Sequence, residues 1–108
     1  MSTPAAEMLI EQAGRALINA APAPAKVILF GSQARGDAGN GSDFDFLVIE
    51  DEVPDRLAEA VRLRNALGDF AAPVDLIVMD AALAGRRAKV RGTVVDRAMR
   101  EGRVVAES

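Results

Sequence analysis

Residues 31–45 read GSQARGDAGNGSDFD, and the apolar run FLVI follows at 46–49. A β-like run, KVILF at 26–30, leads directly into this stretch. The stretch therefore begins with a small-residue turn, Gly31-Ser32, after one predicted strand and ends at the start of a second. Such a turn at the start of a helix supplies free backbone N–H groups and a hydroxyl for a phosphate.

Two carboxylates, Asp43 and Asp45, stand at the beginning of the second β-like run. Side chains two apart on a strand point the same way, so both are predicted on one face, with the two neighbouring phenylalanines on the other. Adjacent carboxylates repel each other, and a divalent cation between them relieves the repulsion. Their oxygen ligands suit Mg²⁺.

A third carboxylate, Asp75, lies near the start of another β-like run at 74–79. If this strand pairs beside the strand of Asp43 and Asp45, three carboxylates converge on one site. A cluster of this kind is able to hold one or two Mg²⁺ ions for phosphoryl or nucleotidyl transfer.

This constellation resembles the nucleotidyltransferase superfamily related to DNA polymerase beta. The family pattern is Gly-Ser, about ten residues, Asp-x-Asp, and a distant third Asp on a neighbouring strand; here these are Gly31-Ser32, the ten residues 33–42, Asp43 and Asp45, and Asp75. The details around Ala-Arg-Gly at 34–36 and Ser-Asp at 42–43 resemble the minimal nucleotidyltransferases, or MNT domains. The resemblance implies that residues 1–108 form a single minimal nucleotidyltransferase domain.

The resemblance also implies the role of each site residue. Asp43 and Asp45 are expected to ligate Mg²⁺ on the triphosphate, and Asp75 to help hold a second ion and to accept a proton from the acceptor hydroxyl. ATP is the expected donor. The residues expected to bind the nucleotide are Gly31, Ser32, Arg35 and Ser42. From the residues alone, Arg35 is a surface charge, whereas the resemblance implies a residue that faces the phosphate or organises the loop.

Composition and net charge limit the size of the domain, its possible acid–base groups and its possible partners. A chain of 108 residues that is half hydrophobic is expected to form one small domain with a real core. Without His or Cys, an acid–base group must be a carboxylate or a perturbed Lys. The net charge of −3 does not favour direct nucleic-acid binding. No signal-peptide pattern or membrane-spanning run is seen, so we expect a cytoplasmic protein without a membrane partner.

Charge is unevenly distributed along the chain. Residues 1–79 hold six basic and twelve acidic side chains, a net of −6, whereas residues 80–108 hold seven and four, a net of +3. The basic end either helps to hold a triphosphate, docks an acidic partner, or is a solvated helix face.

The secondary-structure pattern alternates helices and strands. Pro4 after Thr3 is predicted to open the first helix, and Pro54 the second long one. Asp80 is a possible cap for the next element, and Val90, Val94, Ala98 and Met99 mark one last helix that ends at Gly102.

The predicted elements alternate along the chain. The helices are predicted at 4–20, at 32 to about 36, at 54 to about 68, and in the last segment before Gly102. The strands are predicted at 26–30, 43–50, 74–79 and 103–106, with a flexible loop at 36–42. The order αβαβαβαβ predicts an α/β two-layer domain with helices on a small mixed sheet.

The sequence leaves the acceptor open. Larger members of the superfamily carry extra domains for their acceptors, so we expect this chain to take its acceptor site from a partner. MNT proteins of this size resemble antitoxins that adenylylate a tyrosine of a HEPN-type ribonuclease toxin encoded alongside. The alternatives are a small-molecule (aminoglycoside-type) nucleotidyltransferase, alone or with a separate substrate-binding subunit, and a non-catalytic module that neutralises its partner by contact. The intact carboxylates argue against the last, and the neighbouring gene discriminates among the three.

Overall fold

The structure is a computed structural model, and it describes residues 3–36 and 43–108. Its elements follow the predicted alternation, with one additional helix near the C-terminal end. In chain order they are α1 (Pro4–Ala20), β1 (Ala25–Phe30), α2 (Gly31–Arg35), β2 (Phe44–Glu50), α3 (Arg56–Ala66), β3 (Val74–Asp80), α4 (Ala81–Ala88), α5 (Val94–Glu101) and β4 (Arg103–Glu107).

The strands form one sheet in the order β3-β2-β1-β4. β1 is antiparallel to both β2 and β4, whereas β2 and β3 are parallel. The predicted mixed sheet of an α/β fold is therefore confirmed. Because β1 runs against β2 and β3, its C-terminal end lies at the same edge of the sheet as the N-terminal ends of those two strands.

Helices cover both faces of this sheet. Side chains of α1 and α3 pack with Val27 and Phe46 on one face, for example Leu17 and Leu63. On the other face, Val95 and other side chains of α4 and α5 pack with the alternate strand residues Ile28 and Leu47. The domain thus has three layers, and the expected two-layer arrangement is wrong on this point. The central strands are apolar on both sides, and a sheet of that kind needs a cover on each.

Local capping explains where the long helices begin. The Thr3 hydroxyl accepts a hydrogen bond from the Ala6 N–H at 3.1 Å, with Pro4 in the first helical position, as predicted. α3 begins at Arg56 instead of Pro54, because the Asp55 side chain accepts from the Ala58 N–H at 3.1 Å and so acts as its cap.

The C-terminal region contains two helices where the sequence predicted one. Asp80 caps α4 through the Leu83 N–H at 2.7 Å, and Thr93 caps α5 through the Asp96 N–H at 3.1 Å. Val90 therefore lies in the connection between the helices, and Met99 is exposed. Gly92, with a φ of +88°, provides the left-handed turn that separates them. None of the helices among the described residues has both the length and the apolar character that crossing a membrane requires.

Candidate active site

A cleft of about 410 Å³ opens at the edge of the sheet where β1 ends and β2 and β3 begin. Its walls come from α2, from the first residues of β2 and β3, and from one face of α5. The polar and glycine positions that line it are Gly31, Ser32, Arg35, Asp45, Asp75, Arg97 and Glu101. Four segments that are distant in the chain thus contribute to one cavity.

The Gly31 position is shaped around the carboxylate of Asp45. Phe30, the last residue of β1, pairs with Asp45 of β2, so the next residue passes close beside that side chain. Gly31 has a φ of +76°, and a Cβ atom at this position would collide with Asp45 Oδ2 and lie 3.2 Å from its Cγ. Glycine is therefore required both by the left-handed backbone and by the close approach of the carboxylate.

Asp45 and Asp75 lie opposite each other on the parallel strands β2 and β3. The predicted pairing of these two strands is therefore confirmed. Burial raises the pKa of the half-buried Asp45, and the negative charges of Asp75 and Asp43 raise it further, while Arg97 and Arg35 oppose them. The cleft thus concentrates negative charge at the point where the two strands begin.

Asp43 is placed differently from the other two carboxylates. It lies just before β2, is exposed, and does not line the cleft. Among residues 3–36 and 43–108, no group of three or more Asp, Glu, His or Cys side chains is arranged to hold a metal ion. The structure thus brings together a pair of carboxylates, with Asp43 close enough to act on the pKa of Asp45.

The donor set nevertheless fits Mg²⁺ in its chemistry. Asp45 and Asp75 offer carboxylate oxygens in one cleft, and these hard ligands are the type that Mg²⁺ selects. A cation between them would relieve the repulsion that raises the pKa of Asp45. That these residues and Asp43 ligate Mg²⁺ stays a prediction.

The residues predicted to bind nucleotide have different surroundings. Ser32 lines the cleft next to Gly31. Arg35 lines it too, and its Nη1 donates to Oε2 of Glu101 at 3.1 Å, which ties α2 to α5. Ser42, like most of the predicted loop at 36–42, lies outside the described residues.

Sequence reasoning missed the contribution of α5 to the cleft. Val94, Arg97 and Glu101 share one face of this helix at the spacing i, i+3 and i+7, and all three line the cavity. The spacing was available in the sequence. Nothing in the sequence indicates that this face of the helix lies beside the first residues of β2 and β3.

An acidic pair beside a glycine–serine turn suits metal-assisted phosphoryl chemistry. In agreement with this, a family model described as "Nucleotidyltransferase domain" matches residues 10–105. The chain belongs to the nucleotidyltransferase domain family, as the sequence pattern predicted. No curated protein matches the chain.

Solved structures that are similar in fold include two toxin–antitoxin complexes. One is a chain of a toxin–antitoxin complex crystallised with AMP-PNP, with a TM-score of 0.60 and 21% identity over 92% of this chain and 73% of that one. The other is a chain of the complex between tri-AMPylated Shewanella oneidensis HEPN toxin and MNT antitoxin, with a TM-score of 0.53 and 20% identity over 94% and 73%. At these identities the likeness is one of fold.

Proposed function

We propose that this chain transfers AMP from ATP to a hydroxyl of a protein partner, and that the partner is a HEPN-type ribonuclease toxin which this modification neutralises. In this role residues 1–108 act as a minimal nucleotidyltransferase domain in the cytoplasm. The observation that carries the proposal is the in-register pair Asp45 and Asp75 beside Gly31-Ser32, in one cleft of a nucleotidyltransferase-family chain.

The choice of acceptor is supported by the two structural neighbours. One was solved as a toxin–antitoxin complex with AMP-PNP, and the other contains an AMPylated HEPN toxin with its MNT antitoxin. A chain of the same fold, with a nucleotidyltransferase site of its own, is suited to the same type of acceptor. The open cleft at the sheet edge leaves access for a side chain of another protein.

In the proposed reaction, the acceptor oxygen attacks the α-phosphorus of ATP while the bond from this phosphorus to the pyrophosphate oxygen breaks. Asp75 accepts the proton of the acceptor hydroxyl, a task that no His or Cys in this chain is present to perform. Ser32 and the backbone at Gly31 hold the phosphates that leave. Positioning and charge neutralisation are the main contributions in phosphoryl chemistry.

Mg²⁺ held by Asp45, Asp75 and Asp43 would neutralise charge on the triphosphate and polarise the α-phosphate. The carboxylate of Asp45 lies so close to the Gly31 backbone that a Cβ atom at position 31 would collide with it. Besides burial, the negative charges of Asp75 and Asp43 raise the pKa of Asp45, and a cation between these carboxylates would offset their repulsion.

The partner surface that we predict lies around the basic C-terminal third. Arg86 and Arg91 are exposed, and so is Val104, with 48% of its surface accessible. Val105 packs against the core and is therefore a poorer candidate for docking.

The test is a labelling reaction. The purified chain is incubated with α-³²P-labelled ATP, Mg²⁺ and the protein encoded by the neighbouring gene. We expect that protein to gain label and the mass of AMP on each modified residue. Asp45→Asn should abolish the labelling, whereas Asp69→Asn, a matched change in an exposed loop, should leave it intact.

The same assay offers an aminoglycoside and tRNA as competing acceptors. If the neighbour stays unlabelled while one of these is modified, the antitoxin proposal is wrong and a small-molecule or RNA nucleotidyltransferase replaces it. If the neighbour's ribonuclease activity is blocked equally by the wild type and by Asp45→Asn, neutralisation is by contact alone.

A further inference from the structure

Arg97 occupies a position in the cleft that the sequence motif does not include. It lies in the middle of α5, whose opposite side is anchored in the core by the buried side chains Val95 and Ala98. This packing turns the side chain of Arg97 toward the cavity that Asp45 and Asp75 line. Its positive charge is close enough to lower the pKa of Asp45, against the larger effects of burial and of the neighbouring carboxylates.

The ion pairs of the chain distinguish Arg97 from other arginines. Within the part of the chain that the structure describes, the arginine ion pairs are Arg15–Glu11, Arg35–Glu101, Arg62–Glu59, Arg100–Asp96 and Arg103–Glu7. Among the described residues, no carboxylate lies at ion-pair distance from Arg97, although this side chain is exposed and faces an acidic cleft. The Arg97 guanidinium therefore forms no ion pair there, whereas that of Arg35 pairs with Glu101.

The charge of the cleft indicates what this cation is for. Glu101 offsets the charge of Arg35, so the pair contributes little net charge, and the carboxylates Asp45 and Asp75 remain. A nucleoside triphosphate adds several negative charges to this site. A guanidinium with parallel N–H donors is the side chain best suited to bind phosphate oxygens under these conditions.

The position of α5 indicates which phosphates are concerned. The Arg35–Glu101 ion pair joins α5 to α2, the helix that carries Ser32. Ser32 and Arg97 therefore approach the cleft from two joined helices. The α-phosphate must lie at the carboxylates of β2 and β3, where transfer takes place, which leaves the β- and γ-phosphates for the two helices.

We propose that Arg97 binds the β- and γ-phosphates of the donor nucleotide and so completes the triphosphate site from α5. This inference deepens the function proposed above and rests on it. It differs from the sequence expectation, in which Arg35 was the arginine of the nucleotide site.

The test measures binding apart from catalysis. The probe is α,β-methylene-ATP with Mg²⁺, whose α–β bridge is not cleaved, and AMP is the comparison ligand in the same titration calorimetry. Arg97→Gln should raise the Kd for the ATP analogue by about ten- to a hundredfold, the range for loss of a charge-assisted contact. The Kd for AMP should change by less than about twofold, since AMP lacks both phosphates.

Two variants make the comparison specific. Arg100→Gln removes a charge from the same helix, but Arg100 is paired with Asp96 and does not line the cleft, so this variant should bind as the wild type does. Arg97→Lys should restore part of the affinity, because a lysine keeps the charge without the paired donors. Circular dichroism should give both Arg97 variants the thermal midpoint of the wild type, since Arg97 is exposed. Arg100→Gln should remain folded with a lower midpoint, because it loses the ion pair to the buried Asp96.

The outcomes separate this inference from the proposed function. If the wild type binds the ATP analogue and Arg97→Gln binds it equally well, or loses AMP to the same extent, the assignment of Arg97 is overturned and the proposed function stands. If the wild type binds neither ligand in the presence of Mg²⁺, the proposed function fails and the inference fails with it.

Discussion

Glu50 is a buried carboxyl group far from the cleft, and its substitution should stabilise the protein. It is the last residue of β2 and only 3% of its surface is exposed. Its side chain hydrogen-bonds to Glu59 of α3, and among the described residues its Oε2 has no partner. Glu59 is held by two bonds of 2.7 Å from Arg62, which also donates to the Ala20 carbonyl at 2.9 Å. Glu50 therefore lies next to the negatively charged Glu59, whose charge is already balanced by Arg62.

The pH dependence follows from the pKa of this group. Burial, then the hydrogen bond and negative charge of Glu59, raises the pKa of Glu50 from its ordinary 4.5 to about 7. The folded protein therefore keeps a proton that the unfolded chain releases between these values. The free energy of unfolding should fall as pH rises from 4.5 to about 7, with the loss complete above the folded pKa. A pKa difference of this size corresponds to about 3 kcal/mol.

Glu50→Gln removes the titration and keeps the shape of the side chain. Its amide N–H can donate to Glu59 at every pH, so we expect a gain of about 1–2 kcal/mol in the free energy of unfolding at pH 8. The gain should shrink toward pH 5, where wild-type Glu50 is protonated. Urea unfolding at pH 5 to 8 measures this by circular dichroism, because the chain has no Trp or Tyr for fluorescence. Glu52→Gln, at an exposed position two residues on, is the control. Parallel pH profiles for the wild type and Glu50→Gln would refute the reasoning.

The other predictions concern the cleft. Gly31→Ala should displace the Asp45 carboxylate and cost about 1–3 kcal/mol in unfolding free energy together with transfer activity; Gly85→Ala, where a Cβ meets no atom within 4 Å, should be neutral or slightly stabilising, and a neutral Gly31→Ala would contradict the contact. Asp45→Asn should abolish transfer without lowering the thermal midpoint, because it removes like-charge repulsion, and retained transfer would exclude its role. Ser32→Ala should weaken transfer less than Asp45→Asn does, and mass spectrometry should find no nucleotide on Ser32, which has no His to activate it.

Local sequence patterns predicted the strands and the part of the site that the Gly-Ser and Asp-x-Asp motif forms. The runs at 26–30 and 74–79 became β1 and β3 within one residue, because dense apolar and β-branched runs bounded by breakers specify strands locally. The convergence of Asp45 and Asp75 was expected on the condition that their strands pair, whereas Asp43, which was expected to join them, does not line the cleft. The division between α4 and α5 was missed because the apolar spacing continues through 90–94, and only the cap at Thr93 and the turn at Gly92 interrupt it.

The basic C-terminal third shows why charge counts alone could not complete the site. Of its seven Lys and Arg residues, Arg100 and Arg103 are held by Asp96 and Glu7, and Arg97 lines the acidic cleft. Arg97 and Arg100 are three residues apart on α5, which corresponds to about 300° of rotation about the helix axis, so their side chains point in different directions. Which of the two reaches the cleft depends on which face of the helix packs against the core. Val95 and Ala98 fix that face by packing beneath β1 and β2. The apolar side of α5 therefore determines which arginine reaches the site, and a substitution that rotated the helix would remove Arg97 from the cleft without changing any residue of the Gly-Ser and Asp-x-Asp motif.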